Sequence, residues 1–210
     1  MAASEPDLAP EFKRAIASAV RWGWSELQRR CPDIIASGRE EEITERLHSV
    51  LNELDEEDRR CAPGLDLFET VDRGAKVTTS DGRIEKAPDL VFRPSYRRGV
   101  RNLSDWGLFV ECKIVNATVR HHSPSFYCEN GVARFVKGEY AYRMPSGMML
   151  AFVRDRSAPY VTLQELLKAG YATLRHTAGE APDECRSVHD RSARSCVAVE
   201  LLHLWLQPQD

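Results

Sequence analysis

Ala87-Pro88-Asp89-Leu90-Val91-Phe92 and Gly107-Leu108-Phe109-Val110-Glu111-Cys112-Lys113-Ile114-Val115 decide how this chain is read. Each is a short apolar run, rich in β-branched and aromatic residues, of a length that suits a buried strand. Each also carries charges that a plain core strand excludes, because burying an unpaired charge is costly. Side chains alternate across a strand, so Glu111 and Lys113 share one face while Val110, Cys112 and Ile114 take the other. With Asp89 arriving from a neighbouring strand, the pattern places a small charged cluster on an apolar platform.

These residue types belong together in magnesium-dependent phosphodiester hydrolysis. Magnesium takes oxygen ligands and keeps several waters, so one or two carboxylates and a phosphate oxygen suffice to hold it. Asp89 and Glu111 supply carboxylates, and the carbonyl of Cys112 between the charged pair is a third oxygen. Lys113 then orients or deprotonates a water, or holds the phosphate as a point charge. Mg2+ is the expected cofactor, with Mn2+ as a substitute.

Pro88-Asp89, a spacer of 21 residues and then Glu111-Cys112-Lys113 resemble the signature of the PD-(D/E)xK nuclease superfamily, the restriction-endonuclease-like fold. The resemblance implies a core order of helix, three strands, helix and strand, which lays onto residues 38–155. The segments Tyr127-Cys128 to Gly131, Arg134-Phe135, Gly138-Glu139-Tyr140-Ala141 and Gly147-Met148-Met149 resemble the region C-terminal to the active site in some bacterial members linked to phage defence. Many members add a glutamate from the first core helix to the metal site. Glu40, Glu41 and Glu42 are the candidates here. At 100° per residue, Glu40 falls about 36° from the centre of the stripe formed by Ile43, Leu47, Val50, Leu51 and Leu54, and the other two fall beyond about 120°. Glu40 is therefore expected to join the site, although a run of glutamates is also favourable at a helix N-terminus.

The same letters occur a second time, in Pro6-Asp7 and Glu11-Phe12-Lys13. That copy fails on context: its spacer is three residues, and Phe12, Ile16, Ala19, Val20, Gly23 and Leu27 mark a helix. The alternative for the first copy is a surface strand with an ion pair between residues i and i+2. Phosphate-loop, dinucleotide, nucleophile-elbow and His-Glu-x-x-His motifs are missing from the sequence.

Composition sets the frame. The 210 residues carry 42% hydrophobic and 29% charged side chains, enough for one sizeable domain. It is divided into an N-terminal helical appendage (1–36), a catalytic core (38–155) and a C-terminal helix and strand (156–210). No run approaches the ~18 apolar residues that span a bilayer. The first residues lack a basic segment and an apolar segment, so no signal peptide is expected. Cysteines 31, 61, 112, 128, 185 and 196 form no C-x-x-C pair, which suits reduced thiols in the cytoplasm.

A net charge of −3 argues against a strongly basic nucleic-acid binder. Arg93, Arg97, Arg98 and Arg101, between the two decisive strands, restore part of that case, because a loop leaving an active-site strand is well placed to touch a substrate backbone. Arg97, Arg98, Arg101 and Arg134 are the expected DNA contacts. Arg120-His121-His122 come after the second strand, where loop histidines are expected rather than a metal pair. Arg186, Arg191 and Arg194 are read as solvated loop charges.

Along the chain, Pro10 opens a helix to about Arg30, with Trp22 and Trp24 as packing anchors and residues 13, 14, 21, 29 and 30 as a basic side. Ser37 is the expected N-cap of a helix over 39–54. Residues 61–66 read as a loop. Strands are expected near 67–72, 75–79, 87–93 and 107–115, with Ser80-Asp81-Gly82 as a turn. A polar loop over 116–130, a helix over 131–145, a strand over 148–153, a short helix over 163–170 capped by Thr162 and a strand over 195–206 complete the reading. The expected protein is a single α/β domain with a central mixed sheet flanked by helices. It is expected to be a metal-dependent (endo)deoxyribonuclease in antiviral defence, acting on DNA with partner subunits or as a homodimer. DNA repair or recombination, or a noncatalytic binding module on the same fold, stands second. Clustered carboxylates are expected to repel one another, so that Asp89→Asn or Glu111→Gln would raise the melting temperature.

Overall fold

The computed structural model describes residues 4–53, 64, 67–74, 77–78, 84–95, 99–100, 104, 106–139, 141–156, 163, 165–167, 170–171, 173–179 and 181–208. Three helices come first: α1 (Pro10–Arg30), α2 (Pro32–Ser37) and α3 (Glu40–Asn52). Proline at the first position opens both α1 and α2, where its missing N–H costs no hydrogen bond. Ser37 closes α2, where its hydroxyl donates to Asp33 O. The N-cap of α3 is Arg39, whose backbone N–H donates to Glu42 Oε2 at 2.7 Å. This corrects the expectation for Ser37: a proline-initiated turn claimed the serine first.

The strands are β1 (Phe68–Asp72), β2 (Val77–Thr78), β3 (Ile84–Lys86), β4 (Leu90–Pro94), β5 (Leu108–Val115), β6 (Ser146–Val153), β7 (Thr173–Ala178), β8 (Glu184–His189) and β9 (Val199–Leu206). Among the described residues, seven form a mixed sheet in the order β1-β4-β5-β6-β9-β8-β7, and β2 and β3 pair separately. β5, β6 and β9 run parallel at its centre, with antiparallel pairs on either side. Every residue of β5 and β6 is buried, as parallel strands covered on both faces must be.

Register assigns the faces. Glu111 pairs with Met149, and Met149 with His203, so Glu111, Lys113, Gly147, Met149, His203 and Trp205 share one face. A continuous helical stretch covers it: α4 (Pro124–Tyr127), a π-helical turn (Cys128–Val132) and α5 (Ala133–Lys137). Cys112, Ile114 and Phe152 lie on the other face, where Trp24 of α1 stacks on Phe152 at 5.4 Å. Residues of α1 and of β9 belong to the same core cluster as β4 and β5. No helix among the described residues is long and apolar enough to cross a membrane.

Five further expectations change. Helix replaces the polar loop from Pro124 onward, and Gly138, at φ 68°, ends it well before residue 145. The last strand starts at Val199, not 195. β7 and β8 form a hairpin where the sequence pattern predicts no strands. Arg191 is buried at 1% exposure, not solvated: it donates to the carbonyls of Val197, Phe135, Ala141, Tyr142 and Met144, stitching α5 and the turn after it to the start of β9. The turn at 80–82, Thr162 and most of the 61–66 loop lie outside the described residues.

Candidate active site

The site begins as an unpaired strand edge. β4 pairs with β5 at Phe92–Leu108, Val91–Phe109 and Leu90–Val110, and β5 then runs on for five residues without it. Backbone donors and acceptors on such an edge require partners once they are buried. Carboxylates supply acceptors for two of its N–H groups. Asp89 Oδ2 accepts from the Cys112 N–H at 2.7 Å, and Glu40 Oε2 accepts from the Ile114 N–H at 3.1 Å. One residue before β4 begins, the Asp89 N–H donates to Val110 O at 3.0 Å.

Lys113 occupies the centre. Its Nζ donates to Glu40 Oε1 at 2.6 Å and to Cys112 O at 2.7 Å, and it lies 2.9 Å from Glu111 Oε1. The side chain is 6% exposed. Burial by itself lowers the pKa of this ammonium, but attraction to Glu111, Glu40 and Asp89 outweighs it and holds the pKa above the ordinary lysine value. Lys113 is thus charged at every physiological pH.

Glu111 is fully buried. Arg134 Nη1 approaches the same Oε1 from α5 at 2.8 Å, so one oxygen faces two cations. The helix is held close by glycines. A Cβ at Gly131 in the π turn would run into Met149 and touch Lys113, and one at Gly147 in β6 would fall 2.5 Å from the Phe135 ring. Single π turns in longer helices frequently mark functional sites.

Of the residues expected from the sequence, Asp89, Glu111, Cys112, Lys113, Glu40 and Arg134 come together. Glu41 and Glu42 are exposed, and Glu42 is engaged with Arg39. Arg93 is drawn away from any loop role: it pairs with Asp72 at 2.8 Å and donates to Trp106 O at 2.6 Å. Arg97, Arg98 and Arg101 lie outside the described residues. His121 and His122 sit on a short 3-10 turn, and burial pushes the His122 pKa down, helped by Arg154. The second Asp/Glu/Lys copy is a structural knot. Lys13 pairs with Asp7 at 3.1 Å, and Asp7 accepts from Ser146 Oγ at 2.8 Å, which ties the chain before α1 to the start of β6.

The oxygens around Lys113 Nζ, from two carboxylates and one carbonyl, are of the kind that Mg2+ or Mn2+ accepts, and the residues fit such an ion. Among the described residues, no three His, Cys, Asp or Glu side chains form a ready-made metal cage. Asp89, Glu111 and the Cys112 carbonyl, the last two now on Lys113 Nζ, are the donor set these residues offer such an ion, with Glu40 beside them.

A buried polar chain is present that the sequence pattern did not reveal. Tyr127 Oη bonds His203 Nδ1 at 2.8 Å, and Ser187 Oγ bridges His203 Nε2 and His189 Nε2 at 2.7 Å each. All four residues are essentially inaccessible, so the chain fastens α4 to β8 and β9 rather than meeting a substrate. Its only sequence signal is Ser187 and His189 at strand spacing. Compared with known families, curated proteins and solved structures, the protein gives no match.

Proposed function

We propose that this protein is a divalent-metal-dependent nuclease with a restriction-endonuclease-like core, hydrolysing phosphodiester bonds of DNA in defence against foreign nucleic acid. The observation that carries the reading is the convergence of Glu40, Glu111 and the Cys112 carbonyl on one cationic nitrogen, with Asp89 fixed to the Cys112 N–H. Two oxygen-rich strand ends at one buried edge are costly unless they hold a cation.

A bound Mg2+ would lower the pKa of a ligated water and offset charge on the phosphorane-like transition state. Asp89, Glu111 and the Cys112 carbonyl would hold it, with Glu40 beside them. Lys113 would orient the attacking water or hold a phosphate oxygen from the position it takes between Glu40 and Glu111. Arg134, whose partly exposed side chain meets Glu111 from α5, would take a non-bridging phosphate oxygen with its planar fork.

A noncatalytic binding module is the second reading, favoured by the engagement of the Glu111 carboxylate with Lys113 and Arg134. Incubating the purified protein with duplex DNA, single-stranded DNA and RNA in Mg2+ or Mn2+ separates the two. The nuclease reading expects cleavage that Asp89→Asn, Glu111→Gln and Lys113→Ala each abolish while the protein stays folded. Cleavage surviving in all three variants, or none from the wild type on any substrate, overturns it.

A further inference from the structure

We propose that Arg134 couples the two ligands of this site, a divalent cation and a nucleic-acid phosphodiester, so that each binds well only with the other present. The inference rests on the nuclease reading above. Its basis is the position of Arg134 on Glu111 Oε1, at 2.8 Å, beside Lys113 Nζ at 2.9 Å.

Formal charge makes the case. Asp89, Glu40 and Glu111 are acidic and Lys113 and Arg134 are basic, which leaves the cluster one negative charge. A divalent cation turns that into one positive charge inside a largely buried setting, and a phosphodiester restores neutrality. The cation and Arg134 also compete for the same Glu111 oxygen. Uncompensated charge in a low-dielectric site is expensive, so either ligand alone meets a penalty that the pair avoids.

Arg134 is the member of the pair able to move. Lys113 is 6% exposed and held by three oxygens, whereas the Arg134 side chain is 34% exposed. Its backbone is fixed: Phe135, the next residue, is fully buried against Gly147. A fixed helix with a long, half-buried guanidinium lets the side chain pass from Glu111 to a phosphate without any change of fold. Guanidinium geometry suits both partners, since carboxylate and phosphate each accept two parallel N–H bonds.

The test is Mn2+ binding, read from the electron paramagnetic resonance signal of free Mn2+, with and without a saturating short DNA hairpin and with binding to the hairpin alone subtracted. In the wild type the hairpin is expected to tighten Mn2+ binding about tenfold, within the roughly five- to 150-fold range typical of coupled sites. Reciprocity requires Mn2+ to tighten hairpin binding by the same factor. In Arg134→Gln, Mn2+ is expected to bind the protein alone more tightly than in the wild type, and the gain from the hairpin to fall severalfold, to what direct ligation of the ion by phosphate supplies. Arg134→Lys, which keeps the charge but not the fork, is expected to retain an intermediate gain and guards against a folding defect in the first variant. An undiminished gain in Arg134→Gln, or equal Mn2+ affinity with and without hairpin in the wild type, overturns the coupling and leaves the nuclease reading standing. Failure of the wild type to bind Mn2+ under either condition sinks the nuclease reading itself.

Discussion

At the scale of single residues, the carboxylates of this site have two different employments. Asp89 accepts a hydrogen bond from the Cys112 amide, a task that a neutral acceptor can perform. Glu111 is a buried anion between two cations, a task that only charge can perform. Asp89→Asn should therefore keep the fold, whereas Asp89→Ala strands a buried N–H and should cost about 1–3 kcal/mol. Glu111→Gln leaves Lys113 and Arg134 without their shared counter-ion and should cost about 3–5 kcal/mol, the usual consequence of removing one side of a buried pair. Urea unfolding of the three variants checks the order. The repulsion expected from sequence, which would have made Glu111→Gln stabilising, left out the second cation on Glu111, Arg134. Lys113 was visible as a partner by strand alternation, but Arg134 stood 23 positions away on a helix whose limits the sequence misplaced. A stabilised Glu111→Gln would restore the repulsion argument.

At the scale of elements, the helix over β6 is seated by missing side chains. Gly147 lies flush in β6 so that the Phe135 ring can approach, and a methyl there meets ring atoms at 2.5 and 3.0 Å. An aromatic ring buried in a packed core has little room to yield, so Gly147→Ala should cost about 1–3 kcal/mol through overpacking. It should also lift α5, lengthening the Arg134–Glu111 contact and weakening any activity that depends on it. Calorimetric melting and a nuclease assay read the two effects, and a variant with wild-type stability and activity would show that the helix is seated otherwise. The same element shows what the sequence could and could not reveal. α1 was legible to its ends because a proline start and an apolar stripe at helical spacing agree. β4 and β5 were legible because alternation and charge placement agree. The 124–137 helix was not: a π turn breaks the 3.6-residue period, and Cys128-Glu129-Asn130-Gly131 reads as a loop. β7 and β8 escaped because an edge hairpin carries many polar residues, and three of the four buried residues of β8, Glu184, Ser187 and His189, are polar themselves. Glu40 could be chosen from its neighbours because helical geometry alone separates them. Its grip on the Ile114 amide could not, since that bond spans 74 positions.

At the scale of the whole molecule, the fold buries ionisable groups that behave alike as pH rises. Burial pushes the Cys128 and Cys185 thiols up to about 12, and burial with the nearby Asp89 charge drives the Cys112 thiol well above its usual range. Burial likewise raises the Tyr127 phenol. In the unfolded chain these thiols ionise near about 8.5. Below that pH both states keep the proton and nothing is gained or lost. Between about 8.5 and about 12 the unfolded chain holds fewer protons than the folded one, so stability must fall with rising pH. The limit is about 1.4 kcal/mol per pH unit for each thiol. Lys113 acts in the same direction only higher up. Its folded pKa is raised, so its contribution is complete below the ordinary lysine value near about 10.4 and is lost beyond it. The protein should therefore show level stability from about pH 7 to about 8.5 and a steepening decline above. Urea midpoints under reducing conditions, taken from about pH 7 to about 10.5, measure this. Cys128→Ala and Cys185→Ala should each lower stability at neutral pH through the cavity left behind, yet each should flatten the alkaline slope. The slope is the decisive quantity, because a cavity acts equally at all pH values whereas an ionising thiol does not. A double variant that declines as steeply as the wild type would place the alkaline loss elsewhere, in Tyr127 or at the Lys113 cluster.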